Sequence, residues 1–291
     1  MNLGDRLVPW LAPRLAPWWR GLVSAFRALL SGEMSLAAAG CAFYATLALF
    51  PAITTLISLY GLMFDPVSVG PQLVYLKHFM PPPAFQLIAG RIQHLVSGGK
   101  ASLGIGLAIS LSVTLYSAAA GTKALIYALN LIHKREETRG VIRFQVVTLG
   151  MTLLAILGAI IAIGVLVVLP LVFTFFGLGA ESARLAVNIG FLILIVFMGT
   201  ALGLLYRYGP AFQRSPGHKV APGTILAVLV WLALSYGFAV YVGQFAAYSR
   251  VYGPLATIIG LMMWFYLTAY TLLFGALFNA ALESRTVART P

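Results

Sequence analysis

In the run Tyr116-Ser-Ala-Ala-Ala-Gly-Thr-Lys-Ala-Leu-Ile-Tyr-Ala-Leu-Asn130 one cation, Lys123, stands among apolar and small side chains. Lys123, Tyr127, Asn130 and Lys134 recur at i, i+4, i+7 and i+11, the spacing of one helix face. Near the C-terminus Gly275, Asn279 and Glu283 repeat every four residues in the same way. An ammonium, a phenol, two amides and a carboxylate suit binding chemistry. They could form a buried Lys–Glu or Lys–Asn pair, or a small basic pocket for a phosphate or lipid head group. Lys123, Tyr127, Asn130, Asn279 and Glu283 are therefore the candidate substrate-binding residues. A second reading stands beside this one. Twenty residues counted from Leu103 end at Thr122, which puts Lys123 at a membrane edge, where a lysine snorkels to water at little cost. Asn279 equally suits a hydrogen bond between helices.

Catalytic chemistry finds no comparable support. Acid–base or metal work needs clustered carboxylates, histidines or thiolates. The acidic residues are Asp5, Glu33, Asp65, Glu136, Glu137, Glu181 and Glu283, and only Glu136 and Glu137 adjoin. Neighbours on a helix point about 100° apart, a poor clamp for an ion. His78, His94, His133 and His218 are scattered through connections, and the lone cysteine, Cys41, excludes an intrachain disulfide. HExxH, GxSxG and P-loop patterns are all absent. The expectation is a non-enzyme with no metal and no cofactor. Glu136, Glu137 and Arg139 are read instead as a charge cluster in a connection.

These residues need elements to hold them, and composition says what kind. The 291 residues are 60% hydrophobic and 9% charged, with a mean hydropathy of +0.94. Soluble domains carry about 25% charged residues, so the solvent for most of this chain is lipid. Backbone groups in lipid must pair internally, which leaves helices or a closed barrel; long apolar runs without alternation select helices. Six spans are expected, at 36–63, 103–132, 141–173, 185–206, 223–245 and 254–281. They form an all-α membrane domain over 34–283, followed by a short tail, 284–291. The first span is expected to act as an uncleaved anchor.

The net charge of +12 does not call for nucleic acid, because the cations lie between the spans. One side collects Arg6, Arg14, Arg20, Arg27, Lys134, Arg135, Arg139, Arg143, Arg207, Arg214, Lys219, Arg285 and Arg289; the other has Lys77, Arg91, Lys100, Arg184 and Arg250. That asymmetry predicts both termini in the cytoplasm. Residues 1–33 mix Trp10, Trp18 and Trp19 with arginines and prolines, as interfacial helices on the inner leaflet do. In the first outer loop Phe85, Ile88, Ile92 and Leu95 predict an amphipathic helix after Met80-Pro-Pro-Pro83. Gly199-Thr-Ala-Leu-Gly203 is a GxxxG, expected to bring helices together. Gly121 ends a small-residue run, and Pro51 is expected to free a carbonyl and bend the first span.

Three strings carry a family resemblance. They are Ala42-Phe-Tyr-Ala-Thr-Leu-Ala-Leu-Phe-Pro51; the Tyr116–Asn130 run followed by Glu136, Glu137 and Arg139; and Tyr248-Ser-Arg-Val-Tyr-Gly253 with Trp264-Phe-Tyr-Leu267 and Gly275-Ala-Leu-Phe-Asn279. Over roughly 30–285 the chain resembles the YihY/BrkB family of bacterial inner-membrane proteins. The resemblance implies a six-helix bundle with cytoplasmic termini, and traffic in lipids or lipid-linked precursors. Pro51, Gly121, Gly253 and Gly275 are the motif positions expected to shape or gate it. The family's older ribonuclease label conflicts with the missing acid–base cluster, and its virulence label describes no chemistry. Where the family often carries two glutamates, this chain has Leu277 and Ala281, so proton coupling through those carboxylates is not expected. The leading expectation is a transporter or flippase-like protein for an amphipathic, anionic substrate, with membrane lipids as partners. The alternatives are a non-transporting scaffold engaging an envelope protein, and a small-solute or ion transporter.

Overall fold

A computed structural model describes residues 12–63, 99–165, 180–211, 220–243 and 254–287. They form α1 (Ala12–Leu29), α2 (Gly32–Met63), α3 (Gly99–Ile132), α4 (Val141–Ile163), α5 (Ala180–Tyr208), α6 (Ala221–Gly243) and α7 (Pro254–Val287). No strand occurs among the described residues. Stretches long and apolar enough to cross a membrane are found in α2 to α7: Gly32–Leu56, Gly104–Ile132, Val141–Ile161, Val187–Tyr208, Ala221–Val242 and Leu255–Glu283. The outer-loop helix, the distal end of the third span and Gly253 lie outside the described residues.

Helix ends follow local chemistry. α5 stops at Gly209-Pro210, and α6 begins with Pro222 in its first turn, where a missing N–H costs nothing. α3 stops differently. Lys134 adopts φ 52°, the left-handed region, while its N–H reaches the Leu131 carbonyl and the Arg135 N–H reaches that of Asn130. This is a Schellman-type end with lysine in the place glycine usually takes. The helix face projected through Lys134 therefore ends at Asn130. Pro51 sits inside an unbroken α2, with the Thr54 and Thr55 hydroxyls donating to the Phe50 and Pro51 carbonyls.

The chain divides into two compact units. The first comprises Met1–Ala38, Thr122–Ala233 and Thr268–Pro291. Its core joins Leu129 of α3, Leu202, Leu205 and Tyr206 of α5, Ala227 and Val228 of α6, and Leu272 and Ala276 of α7. The fully buried Tyr206 meets the polar requirement of its ring by donating to the Leu272 carbonyl at 2.6 Å. α1 lies on α7 through Trp18 against Phe278 (centroids 5.9 Å apart), and the Tyr270 hydroxyl donates to the Leu29 carbonyl. Trp19 and Phe26, seven residues apart on one face of α1, stay exposed, as does Leu30 just past its end. That is the face an interfacial helix would present to lipid.

The second unit comprises Ala39–Gly121 and Leu234–Leu267. Within it α2 meets α3 at Gly121, where an added Cβ would stand 3.5 Å from the Tyr44 Cβ and 3.9 Å from the Cys41 carbonyl oxygen. The Cys41 thiol donates to the Gly121 carbonyl at 3.7 Å. Further along the same pair of helices Thr55 Oγ1 lies 3.0 Å from Ser110 Oγ, within hydrogen-bond reach. Gly121 thus lies at the α2–α3 contact, but an added Cβ would sit there at ordinary van der Waals distance. The GxxxG glycines lie at no such contact: a Cβ on Gly199 or Gly203 would meet nothing within 4 Å among the described residues.

Candidate functional site

The polar residues singled out in the sequence separate into three places within the first unit. One is the crossing of α6 and α7. Val220, just before α6, has no side-chain oxygen to cap the helix. Asn279 of α7 supplies one, its Oδ1 accepting the Gly223 N–H at 2.7 Å, while its Nδ2 donates to the Val220 carbonyl at 3.0 Å. The crossing is tight because both helices present glycine. A Cβ on Gly223 would run into the Gly275 carbonyl, and one on Gly275 would come 2.5 Å from the Gly223 carbonyl and 2.6 Å from Tyr206 Oη. Asn279 is 3% exposed, and both ends of its amide are used.

The second place is the connection from α3 to α4, folded against the end of α5. Asn130, also 3% exposed, donates through Nδ2 to Glu137 Oε2 at 2.9 Å and accepts the Ala211 N–H on Oδ1 at 2.8 Å. A carboxylate can only accept and an N–H can only donate, so the two partners fix the amide's orientation. Glu137 also takes a bidentate pair from Arg139, Nε to Oε1 and Nη2 to Oε2, both at 2.7 Å. The guanidinium goes on to the Tyr208 and Gly209 carbonyls at 3.3 and 2.8 Å, a cation at the negative end of α5. The hydrogen bonds from Arg139, first its side chain, outweigh the cost of burial and hold the Glu137 carboxyl below its ordinary value. Glu136 projects to solvent without a partner among the described residues.

Glu283 faces His133, Oε2 to Nε2 at 3.6 Å. The His133 Nδ1 lies 2.8 Å from the Leu129 carbonyl, so it carries the proton, and the pair with Glu283 is an ion pair only when Nε2 is protonated too. His133 stands in the connection just past the end of α3, as the sequence places it, and the contact with Glu283 has no sequence signature.

The third place is Lys123 itself. It is half-buried, nine residues before the end of α3 (about 14 Å of helix) and inside the apolar span Gly104–Ile132. It forms no hydrogen bond or ion pair among the described residues. The pairings with Asn279 and Glu283 that the spacing allowed do not occur, because Asn279 caps α6 and Glu283 meets His133. Close to it the Thr152 hydroxyl of α4 is 2.8 Å from both Thr122 Oγ1 and the Thr148 carbonyl. One turn further, the Tyr127 ring meets that of Phe144 at a tilt, centroids 5.3 Å apart, and the residue stays 53% exposed. Among the described residues no three His, Cys, Asp or Glu side chains gather as a metal site would need.

Six apolar spans and this helix-to-helix polar network define a polytopic α-helical membrane protein. The chain belongs to the virulence factor BrkB family, whose model matches residues 25–291. It is similar to the ribonuclease-like protein YfkH of Bacillus subtilis (strain 168), 28% identical over 257 residues, or 84% of this chain and 88% of that protein. It is also similar to UPF0761 membrane proteins of Xanthomonas oryzae pv. oryzae and Xanthomonas campestris pv. campestris, at 38% and 37% identity over 73 residues, 25% of this chain and 17% of those relatives. No solved structure matches.

Proposed function

We propose that the chain is a non-enzymatic inner-membrane transporter or flippase-like protein, both termini cytoplasmic, for an amphipathic anionic lipid or lipid-linked substrate. The observation that carries this reading is Lys123: a cation within an apolar span, half-buried, with no protein partner among the described residues. An ammonium costs several kcal/mol at the bilayer centre and less toward the interface, so one nine residues inside the helix carries part of that cost. A substrate phosphate would offset the cost, and the Tyr127 ring beside it would lie along the substrate's apolar part. Snorkelling is harder from nine residues inside the helix than from its end.

The test is reconstitution of the pure protein in liposomes holding fluorescent phosphatidylglycerol. Redistribution between leaflets faster than in protein-free vesicles supports the reading, and a rate equal to theirs defeats it. Ion flux without lipid movement would favour the small-solute alternative. The orientation is tested separately, by accessibility of terminal tags in intact and opened cells.

A further inference from the structure

We propose that the connection between α3 and α4 and the end of α5 together form a docking site for an anionic phospholipid of the surrounding leaflet, distinct from Lys123. The hydrogen bonds from Asn130 to Ala211, and from Arg139 to Tyr208 and Gly209, draw these two chain segments into one place. Arg139 is consumed by Glu137. Four other cations are brought along and left over: Lys134, Arg135, Arg143 and Arg207 are all exposed and make no ion pair among the described residues. Glu136 is the sole unpaired carboxylate on the two described segments. The fold thus uses one guanidinium to hold the segments together and presents four further cations against the single free carboxylate of Glu136, an excess of three positive charges.

The apolar surface beside them says what kind of anion fits. Val141 and Ile142, next to Arg143, are 84% and 82% exposed. From Ile142 an exposed stripe continues along α4 through Val146, Leu149 and Leu153, each one turn after the last. A cationic rim joined to a lengthwise apolar track matches one molecule with a phosphate at one end and acyl chains at the other. A soluble polyanion would leave the track uncovered. Cations near a leaflet surface add about 1 kcal/mol each to the attraction of anionic lipid. The inference does not rest on transport: a protein that moves no lipid can still hold one here.

The test is native mass spectrometry of the full chain released from nanodiscs containing equal phosphatidylglycerol and phosphatidylcholine of identical chain length. Wild type should retain phosphatidylglycerol in excess, and Arg135→Gln, Arg143→Gln and Arg207→Gln should each lower that excess about fivefold. Arg27→Gln, the same charge change on α1, should leave most of it. A wild-type measurement needs no variant: the excess should shrink steeply as salt is raised to about 1 M, where screening is nearly complete. Equal retention of the two lipids by wild type would overturn the site. So would a loss in Arg27→Gln as large as in Arg143→Gln, and so would a much larger loss with inorganic phosphate than with chloride at equal ionic strength, which would mark a site for the free anion and not for a lipid.

Discussion

Asn279 and Lys123 look alike in the sequence, each a lone polar residue in an apolar helix, yet the fold treats them in opposite ways. Both ends of the Asn279 amide are taken by the start of α6, at 2.7 and 3.0 Å. The Lys123 ammonium is given nothing among the described residues, although Thr122 beside it finds a partner in Thr152. A polar group whose valences are filled by backbone holds helices together, since leaving such groups bare in lipid costs several kcal/mol. A polar group left open is available for something the protein does not contain. Asn279 thus belongs to the scaffold, as do Asn130, Glu137 and Arg139, which take up one another and backbone groups, while Lys123 is left for the proposed function.

The largest break in this contrast should come from the α6–α7 crossing. Gly275→Val forces a side chain into the Gly223 carbonyl and Tyr206 Oη, and should destabilise by about 3 kcal/mol or more. Loss of monodisperse protein on size-exclusion chromatography would report it, whereas Gly199→Val should behave as wild type. Next, Glu137→Gln strands the Arg139 guanidinium and should cost on the order of 2–4 kcal/mol, read as a drop in melting temperature in detergent. The acid limb supplies a second check. Because Glu137 binds its proton more weakly folded than unfolded, its contribution is complete above the ordinary carboxylate range. It fades as the pH falls through that range to the lower folded value. The variant should lose that part of the acid sensitivity. Asn279→Leu removes the cap from Gly223 and should cost about 1–3 kcal/mol.

The smallest effect sharpens the picture at the α3 terminus. Lys134 occupies a left-handed backbone position that L-residues enter at a cost of about 1–2 kcal/mol. Lys134→Gly should raise the melting temperature slightly, by relief of roughly 1 kcal/mol. A fall would mean that the lysine side chain holds something the backbone geometry does not show.

The six spans were legible because hydropathy and helix punctuation are local: runs bounded by Gly209-Pro210 or opened by Pro222 declare themselves. The helix-packing motif was not. Gly199 and Gly203 satisfy the one-helix pattern but face open space among the described residues. The tight crossing pairs Gly223 with Gly275, one glycine from each of two helices far apart in sequence. Spacing found Asn130 and Asn279 as polar outliers, but three of their four partners are backbone groups, which carry no sequence signature; the fourth is the Glu137 carboxylate. Spacing also overran α3, carrying the Lys123 stripe on to Lys134, because a non-glycine left-handed end gives no warning in the residue types.

The most direct test of the contrast is Lys123→Met, which keeps an unbranched side chain only one atom shorter and removes its charge. Melting temperature and phosphatidylglycerol redistribution should be measured on the same preparation. The account predicts a melting temperature at or above that of wild type, with redistribution reduced to the rate of protein-free vesicles. A large fall in melting temperature would reveal a structural partner for the ammonium, and undiminished redistribution would take Lys123 out of the function altogether.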